Sequence, residues 1–251
     1  MKSSRMILFR RVELKYFVGR TARTALEKDL RAFIPPDSHS ESAEGYLVRS
    51  LYFDTHDYMA YHEKMAGTAV RHKLRIRVYG ERPHKAPFVR LELKSRYNET
   101  INKITVDVPI EDYDEVVSAI NNHRLPPQHY LNLKGISREF FRVQRQYNMI
   151  PQIMVQYRRR AYEKNDINRV RLNFDDQVVA SKHLDILGHL RGARPILQYG
   201  NSIFEIKVDG TMPYWLHNLI AKYDLQNQAI SKFCHAIQGQ ARLTPFSRSE
   251  E

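Results

Sequence analysis

Along much of this chain apolar residues fall on every second position, the period of a strand with one buried face. Arg11 to Val18 alternates in this way, as do Tyr46 to Asp54, Ala69 to Tyr79, Pro87 to Ser95, Ile101 to Val108, Ile153 to Tyr162, Val170 to Asp175 and Ile203 to Asp209. Between these runs the spacing lengthens to three and four residues. It predicts helices over Thr21 to Phe33, Asp57 to Lys64, Asp112 to Asn121, His129 to Gln146 and Pro213 to Tyr223. Pro35-Pro36 ends the first helix, and Pro126-Pro127 separates the third from the fourth. Strands outnumber helices, so the class is α+β. No stretch resembles a linker, and residues 1–251 are read as a single domain. Its ordered core runs from about residue 8 to 238, and 239–251 are read as a polar, unstructured tail.

The polar halves of the strands carry the unusual information. Arg71, Lys73, Arg75 and Arg77 share one face of their strand, while Val70, Leu74, Ile76 and Val78 share the other. The same split sets Glu92 and Lys94 against Val89, Leu91 and Leu93, and Lys103, Thr105 and Asp107 against Ile104, Val106 and Val108. Arg169 and Arg171 oppose Val170, Leu172 and Phe174. A triplet of acid, aliphatic residue and Lys recurs as Glu13-Leu14-Lys15, Glu92-Leu93-Lys94 and Glu205-Ile206-Lys207. Two readings follow. On a solvated sheet these charges form cross-strand pairs worth about 0 to 1 kcal/mol each. Inside a closed barrel they would cost several kcal/mol apiece, which makes sense only for a wet interior that receives a polyanion.

Charge favours an anionic partner under either reading, because 40 Lys and Arg stand against 28 Asp and Glu, a formal net charge of +12. Nucleic acid, a phosphate-rich metabolite and an acidic membrane surface all qualify. Arg158-Arg159-Arg160 fits strand alternation, with Arg159 inward. Most aromatics occupy apolar-face positions rather than the exposed ones that stack RNA bases. The single cysteine, Cys234, excludes an internal disulfide and a Cys-based zinc site. The apolar run Met6 to Phe9 is too brief for a signal-peptide core or a membrane span, so the chain is read as cytoplasmic.

An ordered set of short segments carries a family resemblance. It comprises Val12-Glu13-Leu14-Lys15-Tyr16, Ser50-Leu51-Tyr52-Phe53-Asp54, Arg75-Ile76-Arg77-Val78-Tyr79-Gly80 and Leu91-Glu92-Leu93-Lys94. It continues with Val155-Gln156-Tyr157-Arg158-Arg159, Val170-Arg171-Leu172, Phe204-Glu205-Ile206-Lys207 and Ser231-Lys232-Phe233. In this order they resemble the VTC domain, the polyphosphate polymerase branch of the triphosphate tunnel metalloenzymes.

The resemblance implies a closed antiparallel β-barrel with helices packed outside and a tunnel for triphosphate and polyphosphate. It implies an ATP-polyphosphate phosphotransferase in which Lys15, Arg75, Arg77, Lys94, Lys103, Arg159 and Arg171 cradle phosphates. Glu205 would hold Mg2+ or Mn2+, helped by Glu13 or Glu92, with Lys207 assisting and Lys232 closing one mouth of the tunnel. ATP and inorganic polyphosphate are the implied partners, not nucleic acid. Any tie to a membrane would require a separate membrane-protein partner. Hydrolytic and cyclase relatives begin with Glu-x-Glu-x-Lys, whereas this chain reads Arg11-Val12-Glu13-Leu14-Lys15. The missing first carboxylate favours the polymerase branch. The alternatives are a triphosphatase or nucleoside triphosphatase of the same fold, and a noncatalytic binder of polyphosphate or nucleic acid.

Overall fold

Nine strands and six α-helices are formed among the residues that the computed structural model describes, 11–40, 44–122, 136–166 and 168–241; eight of the strands arise from the alternating segments and five of the helices from the longer-spaced ones. In chain order the elements are β1 (Arg11–Gly19), α1 (Arg20–Leu30), β2 (Tyr46–Asp54), α2 (Met59–Ala66), β3 (Val70–Tyr79), β4 (Phe88–Tyr97) and β5 (Thr100–Pro109). Then come α3 (Tyr113–Asn121), α4 (Ile136–Gln146), β6 (Ile150–Asn165), β7 (Arg169–Ser181) and the two-residue β8 (Arg194–Pro195). β9 (Asn201–Asp209), α5 (Tyr214–Lys222) and α6 (Lys232–Ala241) complete the chain.

The sheet follows the order β1-β9-β7-β6-β2-β3-β4-β5, with β8 on β7. The expected closed barrel is not formed: among the described residues, β1 and β5 end the path. The reason lies in where the backbone groups of β1 go. Lys15 N–H donates to Asn227 Oδ1 at 3.1 Å, and Gln228 N–H donates to the Lys15 carbonyl at 2.8 Å. The connector after α5 thus takes the ladder positions that a closing strand would need. β5 has the marks of an edge strand, with its first four residues exposed and Lys103 among them.

One further expectation shifts. α6 carries the chain beyond residue 239, where the polar tail is expected to begin; its entry turn is held by Ser231, whose Oγ accepts the Cys234 N–H at 3.4 Å. Phe233, Cys234 and Ala236 are buried. Residues 242–251, and residues 129–135 of the helix predicted from His129, lie outside the described residues.

The chain divides into two compact units. The first comprises Met1–Tyr46, Arg158–Val178 and Leu197–Ile230, the second Leu47–Tyr157, Val179–Ile196 and Ser231–Glu251. In the first, Leu26 and Leu30 of α1 and Leu216 of α5 pack on Tyr16, Phe174, Phe204 and Ile206. Phe33 stacks on Trp215 at 5.0 Å between ring centroids. In the second, Val116 and Ile120 of α3 and Phe140 and Phe141 of α4 cover Leu74, Ile76, Leu91 and Leu93. Each such side chain contributes about 1.5 to 3 kcal/mol on burial. Helices α1, α3, α4 and α5 therefore occupy the apolar faces of their strands, and alternation puts the charged residues on the other face.

Candidate functional site

In the second unit, register sorts the charged face into rows. Arg71 stands opposite Arg96, Lys73 opposite Lys94, Arg75 opposite Glu92 and Arg77 opposite Arg90. β5 extends all four rows, with Ile101 opposite Arg96, Lys103 opposite Lys94, Thr105 opposite Glu92 and Asp107 opposite Arg90. Glu92, 2% exposed, is the hub. Its Oε2 accepts Arg75 Nε at 2.5 Å and lies 3.6 Å from Arg77 Nη1, while Lys103 Nζ reaches its Oε1 at 2.5 Å. Burial alone would raise the Glu92 pKa, but the attraction of Arg75 and Arg77 reverses this and holds the carboxyl well below the usual range.

Neutral groups complete the frame around these guanidinium groups. Tyr52 OH accepts Arg75 Nη1 at 3.2 Å, and Ser50 Oγ accepts Arg77 Nε at 3.0 Å. Burial pushes the Tyr52 phenol up, and the cations Arg75, Arg77 and Lys232 outweigh it, so the net shift is downward. Lys232 Nζ sits over the Tyr157 ring, 4.8 Å from its centroid. One carboxylate thus anchors three cations on a face where cations predominate.

In the first unit, β9 is flanked by β1 and β7, and charges alternate across the three strands. Lys15 and Asn173 flank Glu205, while Glu13 and Arg171 flank Lys207. Glu205 is 5% exposed. Its Oε2 accepts Lys207 Nζ at 2.6 Å and Asn173 Nδ2 at 3.3 Å, and lies 3.8 Å from Arg159 Nη2. Lys15 Nζ bridges Glu205 Oε1 at 3.6 Å and Glu13 Oε1 at 2.8 Å. Arg159 is locked by a two-point ion pair with the fully buried Asp175, Nε and Nη2 donating at 2.7 and 2.8 Å. Arg171 donates to Asp37 Oδ2 at 3.1 Å and Glu163 Oε2 at 3.0 Å.

Local backbone geometry fixes two of these partners. Pro36 bridges Tyr162 and Asp37 N–H donates to the Ala161 carbonyl at 2.9 Å, which lays the loop after α1 along β6 and presents Asp37 to Arg171. Gly45 adopts φ +72°, and a Cβ there would meet the Arg159 carbonyl oxygen at 2.1 Å. Only glycine lets the chain pass so close to β6.

With these contacts in view, the sequence family model of the VTC domain matches residues 10–239. The chain belongs to the VTC-domain family. No curated protein matches it at a significant level. Among solved structures, the Hippeastrum protein HpAC1, a proposed adenylyl cyclase described as having a dominant triphosphatase activity, is similar over 92% of this chain and 96% of its own, with a TM-score of 0.52 and 17% identity. A proposed adenylate cyclase from Bacillus halodurans aligns over 88% of this chain and 93% of its own, at 14% identity and a TM-score of 0.48. The Hippeastrum likeness supports the tunnel-type fold.

For this VTC domain, the residues anticipated from sequence gather into two groups. Arg75, Arg77, Glu92 and Lys103 meet directly in the second unit, with Lys94 one row along and Lys232 over Tyr157. Lys15, Glu13, Glu205, Lys207 and Arg159 meet in the first, and Arg171 stands beside them on β7. Sequence reading missed Asp175, Asn173 and Asp37. Asp175 was within reach, since it shares a strand face with Arg169 and Arg171.

Donor chemistry decides how a divalent cation fits. Among the described residues no group of three or more His, Cys, Asp or Glu could hold a metal ion. Glu205 is surrounded by Lys15, Lys207, Arg159 and the Asn173 amide. One carboxylate among cations suits Mg2+ or Mn2+ only where phosphate oxygens and water supply most of the shell. The residues fit an ion delivered with a phosphate substrate rather than one held by protein alone. No helix among the described residues is long and apolar enough to cross a membrane.

Proposed function

We propose that this protein is an ATP-polyphosphate phosphotransferase, transferring the γ-phosphoryl group of ATP to the end of a polyphosphate chain. The observation that carries the reading is the hub at Glu92, where Arg75, Arg77 and Lys103 are fixed by one buried acid on a predominantly cationic face. Phosphoryl transfer through a loose transition state needs positioning and distributed positive charge more than covalent chemistry. We assign phosphate contacts to Arg75, Arg77, Lys94, Lys103 and Lys232, and in the other unit to Lys15, Arg159, Arg171 and Lys207. Glu205, with Glu13 in support, would hold the Mg2+ or Mn2+ that accompanies ATP, which would supply positive charge to the transferring phosphoryl group. A terminal oxygen of the chain forms the new bond to the γ-phosphorus. The β–γ bridging bond breaks with its electron pair retained on ADP. The attacking phosphate is already anionic at neutral pH, so no general base is required. The working partners are ATP and polyphosphate; nucleic acid is not among them.

Incubation with ATP, Mn2+ and a short polyphosphate primer tests this, with a growing ladder of products expected. Glu205→Ala should lower extension by about 10²-fold or more; equal extension by both proteins would remove Glu205 from the machinery. The second reading, hydrolysis of triphosphate, draws support from the activity described for the Hippeastrum protein. Arg11, in place of a first carboxylate, weighs against it.

Lys207 gives the reaction a pH signature. Burial lowers its pKa to about 8, with Glu205 opposing the shift and Arg159 adding to it. The protonated amine is the form that attracts phosphate, so tripolyphosphate affinity should be level below pH 8 and fall as pH rises through it. Lys207→Arg should extend the level region upward. A profile unchanged in that variant would show that another group sets the limb.

A further inference from the structure

Asn173 stands directly across from Glu205 in the β7–β9 ladder and is fully buried. It interrupts a run of charges, Arg169, Arg171 and Asp175, on one face of β7. Both ends of its amide are used. Nδ2 donates to Glu205 Oε2 at 3.3 Å, and Oδ1 accepts Arg171 Nε at 3.4 Å. The other two nitrogens of Arg171 are held by acids, Nη1 by Glu163 at 3.0 Å and Nη2 by Asp37 at 3.1 Å, so Asn173 supplies the third point that fixes the guanidinium plane. A guanidinium only donates and a carboxylate only accepts, so a side chain bridging the two must accept at one end and donate at the other. Asp at this position could not donate, and it would set two carboxylates face to face across the ladder. An amide does both, and its two partners decide which way round it lies.

We infer that Asn173 is a positioning residue that couples the orientation of the metal-receiving carboxylate, Glu205, to that of the phosphate-binding Arg171. The inference rests on the roles proposed above for those two residues. Among the described residues, one N–H on each of Nε, Nη1 and Nη2 of Arg171 is engaged, which leaves a second N–H on each Nη for phosphate oxygens. Without the bond at Nε, Asp37 and Glu163 alone set the tilt of the guanidinium and draw it toward themselves. Without the Nδ2 donor, the balance of forces on Glu205 Oε2 shifts to the cations Lys207 and Arg159 and turns the carboxylate with them. Groups that orient a metal ligand from one shell out commonly change metal affinity by about 10 to 100-fold when removed. One neutral side chain thus sets two functions, and its loss should weaken both.

Asn173→Leu, close in size and unable to make either bond, tests the coupling through two quantities. Calorimetric titration with metal-free tripolyphosphate should give a Kd about three- to tenfold above wild type. The Mn2+ concentration that gives half-maximal ADP formation from ATP should rise about tenfold or more, with the rate at saturating Mn2+ less affected. In an Arg171→Ala background the same substitution should change tripolyphosphate Kd by less than about twofold, because no guanidinium remains to be oriented. Asn173→Ser fits the space and is too short to span both partners, so it should repeat the pattern if the Leu variant does not fold. A change in only one of the two quantities, no change in either, or a tripolyphosphate loss that persists undiminished without Arg171 would overturn the coupling. Wild type that binds no tripolyphosphate would instead remove the proposed role of Arg171, and ADP formation indifferent to Mn2+ that of Glu205, and the coupling would fall with either.

Discussion

Asp175→Ala should destabilise the protein by about 3 to 5 kcal/mol, because it removes the buried two-point ion pair that holds the Arg159 guanidinium group. Asp175 is fully buried, and its two oxygens take Nε and Nη2 of Arg159 at 2.7 and 2.8 Å. Glu205 at 3.8 Å is a longer and already shared counter-charge. For a chain of this size the loss corresponds to a melting temperature roughly 6 to 20 °C lower. Asp175→Ala/Arg159→Met should recover most of that stability, since an apolar replacement for a buried ion pair is often neutral. It should not recover activity. Stability restored without activity would show that the pair is kept to hold Arg159 for phosphate, whereas a loss below 1 kcal/mol in Asp175→Ala would show that Arg159 is held by other groups.

The second large effect is expected at Arg75. Its guanidinium is framed by Glu92 and the Tyr52 hydroxyl, and so presents an oriented fork rather than a mobile charge. Arg75→Ala should reduce kcat/KM for ATP by about 10² to 10³-fold, the usual cost of one preorganised donor to developing charge. Arg75→Lys separates orientation from charge: it retains the cation but loses the two-point geometry, and it should recover only part of the loss. Wild-type kinetics in Arg75→Lys would reduce the role of Arg75 to simple attraction.

Much of the fold was legible because period-2 alternation is a local property. β2 has the bounds predicted from sequence, and the charged faces of β3, β4, β5 and β7 are those that alternation separates. Closure was not legible, because it depends on which backbone groups meet at the sheet's ends. The bonds from Asn227 and Gln228 to Lys15 cross more than 200 positions of sequence, and nothing local announces them. Helix α6 had a usable signal in Ser231 followed by Phe233, Cys234 and Ala236, but Gly239 and the polar run beyond it resemble a tail.

The candidate residues were legible as types and faces, not as contacts. Glu92 and Glu205 open similar triplets, yet Glu92 ties together Arg75, Arg77 and Lys103, while Glu205 sits among Lys15, Lys207 and Arg159. That division depends on register, and register depends on the partner strand. Asp175 escaped notice at the predicted end of its strand; β7 continues to Ser181, which makes Asp175 an interior position.

The central claim is that phosphorus leaving ATP enters a phosphoanhydride chain. Its most direct measurement is the phosphorus balance of one reaction containing wild-type protein, ATP, Mn2+ and primer, followed by 31P NMR. The account predicts ADP and chain-internal phosphate rising together, one for one, with little orthophosphate. Orthophosphate rising in step with ADP while the chain signal stays flat would contradict it and identify a hydrolase.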